Sequence, residues 1–115
     1  MRAMFAVAAL FVMVGCSVSP QYLLDSRDST TFITRSSVDD AVRGISSEWL
    51  KHTASVNVVP VQDGGTIVFV LTEPNRSCVI VAKVWNQDGK TMVKYCQNKG
   101  PFSPAWMAAP VESLR

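Results

Sequence analysis

The chain is short of the residues that most often carry chemistry. Its 115 residues include one histidine, His52, and three cysteines, and only 17% are charged, with eleven Lys/Arg against nine Asp/Glu. Catalysis of the Ser–His kind would have to run through His52, which sits at the end of a helical pattern, where a histidine ordinarily serves the last carbonyls. No two His, Cys or carboxylate side chains fall at the spacing of a metal site. "DGG" at Asp63–Gly65 has no phosphate-loop lysine behind it and reads as a turn. Asp39 and Asp40 are adjacent and splay apart on a helix, which suits capping and not an acid–base couple. The charges are scattered, with no basic cluster, so there is no electrostatic footprint for nucleic acid. No internal repeat, heptad or low-complexity tract is evident. These absences point away from an enzyme, a metal, a cofactor, a small-molecule substrate and a nucleic-acid partner.

A run long enough to span a membrane is missing as well. The eleven apolar residues Met4–Val14, "MFAVAALFVMV", reach roughly 16 Å as an α-helix, while a hydrocarbon core is about 30 Å thick. With Arg2 ahead of it and small residues behind, the run has the parts of an export signal. Its C-terminal end is more specific: "MVGC", Met13–Cys16, resembles the lipobox of bacterial lipoproteins. The resemblance implies that the chain is cut after Gly15, that residues 1–15 are a cleaved signal peptide, and that Cys16 is the lipidated anchor. Each buried methylene of an acyl chain adds about 0.8 kcal/mol, so several chains on one cysteine hold firmly. In enteric-type lipoproteins an Asp directly after the cysteine favours the inner membrane; Ser17 here implies the outer membrane, with the domain facing the periplasm.

Cleavage leaves 100 of the 115 residues, and with Arg2 gone the net charge falls from +2 to about +1. That is enough chain for one small domain with one core. If Cys16 carries lipid, Cys78 and Cys96 remain, an even number in an oxidising compartment, and the expectation is a disulfide between them.

Residues 16–36 are rich in Ser, Thr and Asp and read as a lipidated N-terminus and tether, with "YLL" and "TFI" as apolar islands able to dock on the domain as short strands. Residues 37–115 form the domain. Within it Val38, Ala41, Val42, Ile45 and Trp49 make one stripe at helical spacing. Ser36 or Ser37 is placed to cap that helix, and Asp39 and Asp40 fall in its first turn, where the dipole favours them. Gly44 costs about 1 kcal/mol there relative to Ala, which suggests close approach to a sheet. Four strands come after the helix: Ser55–Val61, with Pro60 marking an edge or strand end, then Thr66–Thr72, Cys78–Trp85 and Lys90–Gln97. "NQDG" joins the last two as a hairpin. A turn centred near Gln87–Asp88 sets Cys78 and Cys96 almost opposite each other on one face, and a slip of one residue puts them on opposite faces. The expected fold is α+β: an N-terminal amphipathic helix on a four-stranded, largely antiparallel sheet with one disulfide.

Both faces of that sheet are apolar. Ile67, Phe69 and Leu71 oppose Val68 and Val70, and Ile80, Ala82 and Val84 oppose Val79, Val81 and Trp85, whereas a half-solvated sheet alternates apolar with polar. One helix covers one face. The candidate for the other is the tail "GPFSPAWMAAPVESL", too rich in proline for a long helix, whose Phe102, Trp106 and Met107 either plug the chain's own sheet or contact a partner. Two functions from different classes fit an anchored domain with surplus apolar surface. The first is a protein-binding component of an outer-membrane assembly such as a secretion or conjugation apparatus. The second is an inhibitor, immunity or exclusion lipoprotein that presents Thr72–Ser77, "TEPNRS", to an external enzyme, phage or plasmid.

Overall fold

A computed structural model describes residues 19–62, 64–71, 77–98 and 104–115. The fold is α+β. In chain order the elements are α1 (Pro20–Leu24), β1 (Thr30–Thr34), α2 (Val38–Leu50), β2 (Val56–Pro60), β3 (Thr66–Leu71), β4 (Cys78–Gln87), β5 (Lys90–Gln97) and α3 (Ala105–Glu112). The strands form one antiparallel sheet in the order β1-β5-β4-β3-β2. It has five strands rather than the four expected. The extra one, β1, comes from the stretch read as a tether: Thr30–Thr34 pairs along β5 and buries Phe32.

The helix legible in the sequence is α2. Ser37 caps it, its hydroxyl accepting from the Asp40 N–H at 3.1 Å, and Asp39 and Asp40 occupy the first turn. Its stripe, Ala41, Ile45 and Trp49, is fully buried against Val68, Val70, Ile80, Ala82, Val84 and Val93 on one side of the sheet, the helix face. Gly44 does not approach the sheet. It is exposed, and a Cβ there would meet nothing within 4 Å.

The tail joins the same layer. Its described part, residues 104–115, is neither extended nor across the other face: Ala105–Glu112 is a helix with Pro110 inside it, and Met107 and Val111 enter the helix-face core. The Trp49 indole N–H donates to the Met107 carbonyl at 2.7 Å, a buried hydrogen bond that ties α2 to α3. A buried indole nitrogen needs such a partner, because leaving it unsatisfied costs about 1–3 kcal/mol.

Among the described residues the second face, the open face, is covered by α1 at one end only. Ser19 caps this five-residue helix, its hydroxyl accepting from the Tyr22 N–H at 3.2 Å. Leu23 and Leu24 are buried against Val81, Cys78 and Cys96, with Ile67, Phe69 and Leu71 packed at the margin. The apolar island "YLL" therefore docks as expected but as a helix.

No disulfide joins Cys78 and Cys96; both are thiols. The reason is register. The hairpin turns on Asp88 (φ 54°) and Gly89 (φ 79°), one residue later than a centre at Gln87–Asp88, and this sets Val81, not Cys78, opposite Cys96. A two-residue turn with both central residues at positive φ is the one that matches strand twist. Simple alternation would then put the two cysteines on opposite faces. A bulge where β4 meets the end of β3 restores Cys78 to the open face: Val70 pairs with Ile80, but Leu71 pairs with Cys78, so Val79 is the extra residue. The cysteines end as diagonal neighbours in one apolar cluster. Diagonal Cα separations of roughly 7–8 Å exceed what a bridge spans.

Candidate docking surfaces

The sequence-derived site residues scatter. Cys16 and residues 1–15, Phe102, and Thr72–Arg76 of the loop ending at Ser77 lie outside the described residues. Met107 is buried inside the chain's own core, and Trp106 is half-buried with its ring stacked on His52, centroids 4.5 Å apart and planes 10° from parallel. His52 thus meets an aromatic ring. Burial pushes the Cys78 thiol up to about 12, outweighing the lowering from a backbone hydrogen bond at Ile80, so it is held protonated and unreactive.

An open groove of about 530 Å³ runs between the end of β1 and the end of α3, lined by Thr34, Arg35, Ser36, Ser113 and Arg115 among others. The Arg115 guanidinium lies 5.4 Å over the Phe32 ring and 3.4 Å from the Glu112 carboxylate. It is a solvated hollow with hydroxyls and guanidiniums, and His52, Cys78 and Cys96 are elsewhere. Among the described residues no three His, Cys, Asp or Glu side chains gather as metal ligands, and no helix is long and apolar enough to cross a membrane.

Two surfaces stand out instead. The first is the β2 edge. Pro60 marks it as the sequence suggests, since β2 pairs only with β3. Among the described residues no strand pairs with its other side, and such an edge is a template for another strand. Val58, across from Val68, faces the helix side and is 48% exposed; Val59, across from Ile67, faces the open side and is 44% exposed. No charged residue lies in "VNVVP" to discourage a partner.

The second is the open face beyond α1. Reading across the strands by register, Ile33, Met92 and Trp85 make one row, and Thr31, Lys94, Lys83, Ile67 and Val59 make the next. Ile33 is 52% exposed, and Trp85, Met92 and Ile67 are half-buried. None of the five strands contains an Asp or Glu. Their only charged residues are Lys83, Lys90 and Lys94, and alternation puts all three on the open face. Lys83 and Lys94 are directly opposite each other, an arrangement that by itself destabilises a sheet. Lys83 also lies over the Trp85 ring, 5.5 Å from its centroid, while the Trp85 indole N–H donates to Gln87 Oε1 at 3.0 Å. The sequence signal for this surface was the two-sided apolar pattern; the same-face lysines were also in the strands, but only the register gathers them.

Comparison with protein-family models, with curated proteins and with solved structures finds no match to this chain.

Proposed function

We propose that this chain is a small, non-enzymatic lipoprotein of the cell envelope, anchored in the outer membrane by lipid on Cys16 and facing the periplasm. In this reading it is a protein-binding component of an envelope assembly such as a secretion or conjugation apparatus. The observation that carries the binding role is the β2 edge: uncharged, with no described strand on its outer side, and flanked on both faces by exposed valines. An extended segment of a partner adds there as a further strand, with backbone hydrogen bonds supplying affinity and Val58 and Val59 supplying apolar contact. The anchor rests on the "MVGC" resemblance, and a domain that begins within a few residues of it is compatible with a short tether.

A photoreactive amino acid placed at Val58 tests this in intact cells. The expected result is a crosslink to an envelope protein within a large membrane assembly. Recovery of uncrosslinked monomer alone overturns the proposal. A crosslink that forms only when an external enzyme, phage or plasmid is supplied replaces it with inhibition or exclusion.

A further inference from the structure

Three features of the open face combine with the position of Cys16. The described chain enters at Ser19 and Pro20, and α1 lies directly on this face. Cys16 is four residues before Pro20, and four residues of fully extended chain reach at most about 14 Å. A lipid on Cys16 therefore holds the α1 side of the domain against the membrane, whatever path those residues take. The face presented is made of apolar and aromatic side chains interleaved with cations: Ile33, Met92 and Trp85 in one row and Lys83 and Lys94 in the next, with α1, whose Tyr22 is 69% exposed, packed at the Cys78 and Cys96 end.

We infer that the open face of the sheet is a membrane-contact surface that seats on anionic phospholipid headgroups. The inference rests on the proposed anchor at Cys16 and adds the orientation of the domain and the class of lipid. Trp85 has the form suited to that depth: an apolar ring, a polar edge donating to Gln87 and a lysine beside it. Indole and phenol rings settle at the headgroup level, and lysines there draw anionic lipid. The acidic residues of α2 and α3, Asp39, Asp40, Glu48 and Glu112, sit in the layer on the opposite side of the sheet, while Asp25, the C-cap of α1, and Asp28 lie exposed beyond α1 with Arg27 between them. Seated this way the protein leaves the helix layer and the β2 edge available to the periplasm, so lipid and protein partner engage different surfaces.

The test reconstitutes the full-length lipidated protein into vesicles carrying acyl chains brominated near the headgroup, either zwitterionic or with added phosphatidylglycerol. Tryptophan emission is then compared between the wild type and Trp85→Phe. Trp49 and Trp106 lie in the helix layer and serve as an internal reference. The expected result is quenching in anionic vesicles that Trp85→Phe largely removes, and that Lys83→Glu and Lys94→Glu each weaken. In the Cys16→Ser protein, where the face must bind on its own, each lysine reversal should weaken vesicle binding by about fivefold or more. Ile33→Ser, at an exposed position, supplies a second reduction should Trp85→Phe disturb the sheet. Protein that floats with the vesicles but shows unquenched Trp85 overturns the seating while leaving the anchor intact. Equal quenching in zwitterionic vesicles overturns the assignment of an anionic surface. Protein that does not float and carries no acyl mass on Cys16 overturns the anchor and this inference together. A protein adduct from a photoreactive group at Ile33 in cells gives the face to a protein partner instead.

Discussion

The two faces of the sheet are built from the same kinds of residue and end in different states. The helix face receives α2 and α3, and its Val68, Ile80, Ala82, Val84 and Val93 are fully buried. Among the described residues the open face receives only the five of α1; there Val81 and Cys78 are buried while Ile67, Phe69 and Leu71 stay half-exposed. All strand cations lie on the open face. Alternation along a strand says which residues share a face; it does not say how much helix will arrive to cover them. The helix face is the protein's stability, and the open face is surface left for something else.

The largest way to break the contrast is Trp49→Ala. Trp49 is fully buried and hydrogen-bonded to the Met107 carbonyl, so its removal opens a cavity and detaches α3 from α2. The expected loss is about 3–5 kcal/mol, a large share of the roughly 5–15 kcal/mol typical of a domain. Urea denaturation followed by circular dichroism reads it. Leu24→Ala on the open face should cost less, about 2 kcal/mol, the low end for a buried leucine, because α1 is short and can shift to fill the space. An equal or larger loss than at Trp49 would mean that the two faces share the stability evenly.

Alkaline pH separates the faces more gently. Cys78 on the open face is raised from 9.0 to about 12, chiefly by burial, and Tyr95 on the helix side from 10.0 to about 12, by burial first and then by the Glu112 carboxylate. Both groups hold their proton more tightly folded than unfolded. Below pH 9 neither changes stability; between about pH 9 and 12 the unfolded chain ionises first and stability falls. The Cys78→Ala variant should lose the part of that fall that begins near pH 9, as measured by urea midpoints across the range. A thiol count on denatured protein without reductant should give two alkylated cysteines per chain if Cys16 carries lipid and three if it does not. The smallest effect is a gain: Gly44→Ala, exposed on α2 with open space for the methyl, should add up to about 1 kcal/mol, visible as a higher midpoint with an unchanged slope.

Much of this architecture was legible in advance, and the parts that were missed have physical causes. The α2 stripe was legible because thirteen residues give the helical period time to repeat. The strands β2 to β5 were bounded in the sequence by Pro60, "DGG" and "NQDG", although the hairpin turns one residue later than expected. By contrast α1 is five residues long, too few to show a period or to stand alone, whereas "TFI", an apolar island able to dock as a short strand, does so in β1 beside β5 although the stretch around it reads as tether. In α3 the prolines argue against a helix, yet Pro104 sits outside as the cap and Pro110 is carried in an eight-residue helix held by Trp49 and the core. The disulfide expectation failed by one residue of turn, and the bulge that returns Cys78 to the face of Cys96 leaves the two diagonal to each other. Of the candidate surfaces, Pro60 announced the β2 edge, while the lysine cluster stayed hidden because Lys83, Lys90 and Lys94 belong to two strands and meet only across them.

The sequence alone therefore determined the lipobox resemblance, the main helix, the hairpin and the apolar alternation, because each is written within a dozen or so consecutive residues. Tertiary structure decided the rest: that α1 and β1 belong to the fold, that the tail reinforces the already covered side, that Val81 and not Cys78 stands opposite Cys96, and that three lysines share the face left open. Those outcomes depend on which distant segments win the contest to cover a given patch of sheet. That contest is settled by packing volume and backbone pairing between residues far apart in the chain, which no local pattern records.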